Sequence, residues 1–176
     1  MALIRATAIA LAISCAAAIT GSTQTIEAYE AANSAALAAW RAMPLTVRNA
    51  GFVTEAPTGY GTQNPREGTR FYPAEPVIIY AELLGYHWRE YGNNTVSFSI
   101  AIDVVIRDGT GQIVLERENV ETVTTTSRHH NREMFTTLTL TMRTAPVGDY
   151  SVEYALRDLV GGQRVSVALP FSLASP

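Results

Sequence analysis

From Thr95 to Arg107 the chain alternates. Val96, Phe98, Ile100, Ile102, Val104 and Ile106 take every second position against Thr95, Ser97, Ser99, Ala101, Asp103 and Arg107, with Val105 the one departure. Successive side chains of a strand point to opposite faces, so this stretch predicts a β-strand carrying six large apolar groups on one side. Met134, Thr136, Leu138, Leu140 and Met142 repeat the pattern, and Tyr150, Val152, Tyr154 and Leu156 do so before Val165, Val167, Leu169, Phe171 and Leu173. Between Pro76 and Leu84 both parities are apolar, which predicts a strand covered on both faces. Shorter strands are expected at Leu45–Arg48 continuing into Phe52–Val53, at Ile113–Arg117 and at Val120–Thr126.

Two of the turns share a grammar. Arg107-Asp-Gly-Thr-Gly-Gln112 and Arg157-Asp-Leu-Val-Gly-Gly-Gln163 each end one alternating run and start the next, with glycines able to take positive φ. Asp in such a turn bonds its own backbone, so the repeat reads as architecture, with Arg facing outward from the strand end.

One segment departs from period two. Ile26, Tyr29, Leu37, Trp40 and Met43 recur at spacings of three and four or their sum, which predicts an α-helix over Thr25–Met43, capped by Thr25 and stopped by Pro44. Its apolar stripe is expected to lie on the core. Glu55–Tyr72 holds too many prolines and glycines for a regular element and is expected to be a loop.

About eight strands at this spacing predict a mostly β fold, a two-layer antiparallel sandwich preceded by one N-terminal α-helix. Phe71-Tyr-Pro-Ala-Glu-Pro-Val-Ile-Ile-Tyr-Ala-Glu82, Gly148-Asp-Tyr-Ser-Val-Glu-Tyr-Ala-Leu-Arg-Asp158 and Leu169-Pro-Phe-Ser-Leu173 carry a further likeness. Over about Leu45–Leu173 the chain resembles secreted bacterial immunoglobulin-like β-sandwich proteins of unassigned function. The resemblance implies an immunoglobulin-like sandwich across 45–176 and carries no catalytic residue, because that fold hosts many activities. The cysteine pair of antibody domains is missing.

The N-terminus adds an address. Arg5, the apolar run Ala6–Ile13 and the small residues Ser14–Ala18 fit a secretory signal peptide over 1–18, followed by the helical segment 19–44. Two cuts are compatible with these residues. Cleavage after Ala18 leaves a mature chain without cysteine; cleavage before Cys15, in Ala12-Ile13-Ser14-Cys15, makes Cys15 a lipidated N-terminus. The expected location is the periplasm or the extracellular space, with the outer membrane reached only through a lipid anchor at Cys15.

Charge narrows the partners. The formal net charge is −3, all 13 basic residues are arginines, and no basic face of the kind that grips phosphate backbones is written, which argues against nucleic acid.

Candidate chemistry concentrates between Tyr86 and Asn94. Tyr86, Trp88 and Tyr91 offer ring faces, and His87, Arg89 and Asn93 offer directional hydrogen bonds, as expected of a ligand-binding loop between strands. Arg66 and Arg70 are possible anion contacts, unless the loop is pinned by pairing through Glu67. His129 and His130 are adjacent and point apart on an extended chain, so no metal site is expected, and no cofactor. The expected function is non-enzymatic binding of a protein or cell-envelope component, a protein being favoured over a glycan. A carbohydrate-binding module using Tyr86, Trp88 and Tyr91 is the alternative, and a small hydrolase using Glu90 or Asp103 a weaker one.

Overall fold

The computed structural model describes residues 25–175. The segment expected to be a signal peptide, Cys15 included, lies outside the described residues. Within them the fold is mostly β, with one N-terminal helix, α1 (Ile26–Ala42), and nine strands. Thr25 caps α1 through its hydroxyl, which accepts from the Ala28 N–H at 3.3 Å, and Met43 closes it by donating to the Trp40 carbonyl at 3.1 Å.

The strands form two sheets. One holds β1 (Thr46–Val53), β3 (Pro76–Leu84) and β7 (Met134–Thr141), in the order β1-β3-β7, all antiparallel. The other runs β2 (Arg70–Phe71), β9 (Arg164–Leu173), β8 (Gly148–Asp158), β5 (Thr95–Asp108), β4 (Arg89–Tyr91), with β6 (Ile113–Ser127) on the far side of β5. This sheet is mixed, not purely antiparallel, because β2 pairs parallel with β9 through Arg70↔Ser172 and Phe71↔Leu173.

Three boundaries depart from the reading of the sequence. The segments expected at Ile113–Arg117 and Val120–Thr126 are one strand, β6, interrupted by a bulge between the partners of Ile102 and Val104, where Asn119 takes φ 52°. The two-residue β2 lies inside the expected Glu55–Tyr72 loop, and the three-residue β4 inside the Tyr86–Asn94 segment. Both are too short for periodicity to register.

The core is one cluster drawn from both sheets. All six alternating residues of β5 are buried, together with Val77, Ile79 and Leu83 of β3 and Val152, Tyr154 and Leu156 of β8. Each such side chain contributes on the order of 1.5–3 kcal/mol of transfer free energy before the cost of ordering it. Strand β3 is covered on its second face as well: Tyr80 and Glu82 are buried, and the 55–64 loop folds over them, with the Gly61 N–H donating to the Tyr80 hydroxyl at 3.1 Å.

Helix α1 meets this body through its middle and C-terminal turns and leaves its first turns in water. Trp40 is buried, whereas Ile26 and Tyr29 are 65% and 63% exposed, so the stripe expected on the core divides in two. The reason is where the helix lands: Trp40 packs on Tyr86 and Trp88 of the 85–88 segment, and Asn33 accepts from Arg132 at 2.8 Å.

Candidate functional site

The site begins with an aromatic foundation at the end of the fold where α1 docks. Trp40 and Tyr86 meet edge to face at 5.0 Å, Tyr86 lies 4.6 Å from Phe98 of β5, and Trp88 meets His130 edge on at 4.9 Å. Their polar atoms hold neighbouring backbone: Trp40 Nε1 donates to the Tyr86 carbonyl at 2.9 Å, and the Tyr86 hydroxyl donates to the Asn131 carbonyl at 2.6 Å. Burial pushes the Tyr86 phenol far above its ordinary range, so it stays a neutral donor. One sequence choice lets the helix exit come this close: Gly85 takes φ +76°, and a Cβ there would overlap the Pro44 carbonyl.

The second Arg-Asp hairpin braces the same end. In the first copy Asp108 serves its own turn, accepting from the backbone N–H of Thr110 and Gln112 at 2.9 and 3.0 Å. In the second, Asp158 accepts from Val160 N at 2.9 Å and also reaches His87, whose backbone N and Nδ1 both stand 2.9 Å from its Oδ2. Gln163 goes further still, its side-chain carbonyl accepting from the Leu45 N–H at 2.6 Å. Gly161 permits the contact, since a Cβ there would overlap His87 Nδ1 and stand 2.6 Å from Asp158 Oδ2. The two arginines differ likewise. Arg107 reaches the Gly111 carbonyl of its own turn, while Arg157 binds Asp103 at 2.8 Å and Asn119 at 2.6 Å across the sheet.

Three shallow clefts open over this foundation. One of about 430 Å³ is lined by Tyr91, Asn93, Asn94, Glu90, Arg128 and His130. A second, of about 310 Å³, lies between Tyr29, Asn33 and Leu37 of α1 and Arg128, His130 and Arg132. A third, of about 200 Å³, is bounded by Arg41, Tyr86, His87, Trp88 and Glu90. Arg41 and Glu90 form an ion pair at 2.7 Å across its rim. Trp88 Nε1 and His130 Nε2 are buried without a hydrogen-bond partner.

The residues singled out in the sequence therefore scatter in role. Tyr86 is core, Trp88 is half-buried, and Tyr91 alone of the three rings is more than half exposed, at 52%. They make no common flat platform. His87 is bound to Asp158, Arg89 is exposed on β4, and Asn93 shares with Asn94 a left-handed turn at φ 65° and 55° that carries their amides over the first cleft. Arg66 is not paired with Glu67; it binds Glu75 at 2.9 Å, donates to the Arg70 carbonyl at 2.8 Å and lies 4.3 Å from the Phe71 ring centre. Arg70 stands apart from the clefts, beside Tyr72. Asp103 is held by Arg157 and Arg164 and by the Asn119 backbone N–H, far from Glu90.

The sequence did not single out Arg128, His130 and Arg132 as residues that line a common cleft. On a solvated turn they carry no pattern, and only the helix set opposite them makes a cleft. The signal that was present is the doubled glycine Gly161-Gly162, which distinguishes the second hairpin from the first.

No protein-family model and no curated protein matches the chain. Among solved structures it is similar to the X-ray structure of Northeast Structural Genomics Consortium target SoR45, at 15% identity and a TM-score of 0.28, covering 75% of this chain and 87% of that one.

Proposed function

We propose that the chain is an exported, non-enzymatic immunoglobulin-like β-sandwich that binds another macromolecule, a protein in preference to a glycan, through the end where α1, the 85–94 segment and the 128–133 segment meet. The observation that carries this reading is the convergence of three segments distant in the chain on adjacent clefts over one rigid aromatic base. Binding sites are characteristically built so, from loops whose side chains are held by a scaffold. The Ser14–Ala18 end of the leader supports export, and the core shared by two sheets supports the sandwich. A glycan platform is less well supported, because packing removes Tyr86 and half of Trp88 from the surface and leaves Tyr91 as a single ring.

A photo-crosslinking amino acid at Asn93, compared with one at Arg143 beside the opposite end of β5, tests the reading. Adducts are expected from position 93 on cell envelopes and are expected to vanish when unlabelled protein is added in excess. Equal adducts from both positions, or adducts from 143 alone, would place binding elsewhere.

A further inference from the structure

Arg128 and His130 line both of the larger clefts, so the two adjoin, one beside Asn93 and Asn94 and the other beside the exposed half of α1. We infer that together they form a groove that binds an acidic protein segment in extended form, its carboxylates paired with Arg128 and Arg132 and its apolar side chains laid on Tyr29 and Leu37. The inference rests on the proposed binding function and adds the chemistry of the partner.

Charge is the first support. The groove presents two guanidiniums against one carboxylate, Glu90, which Arg41 already holds at 2.7 Å and which also stands 3.5 Å from His130 Nε2. This runs against the chain as a whole, whose net charge is −3. Arg128 makes no ion pair among the described residues, and Arg132 is oriented by the 2.8 Å hydrogen bond to Asn33, which leaves the remaining donors of its fork for an incoming oxygen pair.

Placement is the second. Arg128 and Arg132 both line the cleft beside Tyr29 and Leu37, and Arg128 also lines the one beside Asn93 and Asn94, so a peptide segment crossing the two clefts meets a guanidinium in each. The third support is apolar: Tyr29 is 63% exposed and lines the groove with Leu37, a surface on which interspersed apolar side chains can be buried.

The test is fluorescence anisotropy with a short fluorescein-labelled peptide of Glu pairs separated by Leu, beside the same peptide with Gln in place of Glu. Saturable binding of the Glu peptide is expected, weakening as salt rises. Arg128→Ala is expected to weaken it roughly tenfold, as loss of one charge-assisted contact does. Arg128→Glu is expected to abolish binding of the Glu peptide and to accept a Lys-for-Glu peptide, whereas Arg143→Ala at the far end leaves affinity unchanged. Circular dichroism confirms that each variant is folded.

Equal binding of the Gln peptide, or indifference to Arg128→Ala in a folded variant, overturns the inference. So does binding to phosphatidylglycerol vesicles in the absence of peptide binding, which assigns the groove to lipid. Crosslinking from Asn93 without any binding of the Glu peptide removes the acidic chemistry while leaving the proposed binding function in place.

Discussion

Gly161 shows how much one missing methyl decides. With a side chain there, His87 could not reach Asp158, and the 85–94 segment would lose its tie to the second hairpin. Gly161→Ala is expected to cost about 1–3 kcal/mol, read as a lowered urea midpoint. In the double variant with His87→Ala the clash with the ring is gone and only the close approach to Asp158 Oδ2 is left, so the combined cost should fall below the sum of the two single ones; strict additivity would sink the explanation.

Asp103 is the second residue that rewards attention at this level. Hydrogen bonds from Arg157 hold its carboxyl below the usual carboxylate range in spite of burial. A carboxyl depressed in the folded state contributes stability that is fully present above its unfolded value, about pH 3.9, and is lost as pH falls through its folded value. Asp103→Asn is therefore expected to lower stability at neutral pH, by about 1–3 kcal/mol after allowance for the part-exposed arginines, and to flatten the loss of stability below about pH 4. Unfolding midpoints from neutral to acid pH check both. Glu82 contributes in the same direction: burial pushes it up, but hydrogen bonds from Tyr80, Arg48 and Asn49 outweigh burial and leave it lowered.

Among the elements, α1 is attached by Trp40 near its C-terminus and by the Asn33–Arg132 hydrogen bond at its middle. A helix of 17 residues is marginal alone in water, and its anchor is Trp40. Trp40→Ala is expected to release the helix without melting the sheets: amides of 26–42 should lose protection from hydrogen exchange while those of β5 keep theirs. Global unfolding of the variant would show instead that helix and sheets are one cooperative unit. Strand β6 is notable for its outer edge. Its bulge at Asn119 and its charges Glu116, Glu118 and Glu121 are the devices that discourage an unpaired edge from adding another strand. The two Arg-Asp hairpins, nearly identical in spelling, have separated in use: the first closes a turn, and the second braces the end where α1 docks through Asp158 and Gln163.

For the whole molecule, periodicity carried a long way. Alternation from Val96 to Ile106 placed the central strand and its buried face, and three-and-four spacing placed α1, because both patterns answer to local geometry repeated over several residues. The covered second face of β3 was written too, in apolar residues at both parities, as was the Asp bond within each turn. What sequence could not supply were pairings between distant segments. His87 meets Asp158 across 71 residues, Leu45 meets Gln163 across 118, and Arg66 chooses Glu75 over the adjacent Glu67. Each depends on where loops come to rest, and a single side chain has no period to announce it. So the amino-acid order decided the strands, the helix and the core, whose burial is dictated by repeating apolar positions. Tertiary structure alone decided that Tyr86 would be foundation and not surface, that half of the helical stripe would stay in water, and that Arg128 would face α1 across a groove.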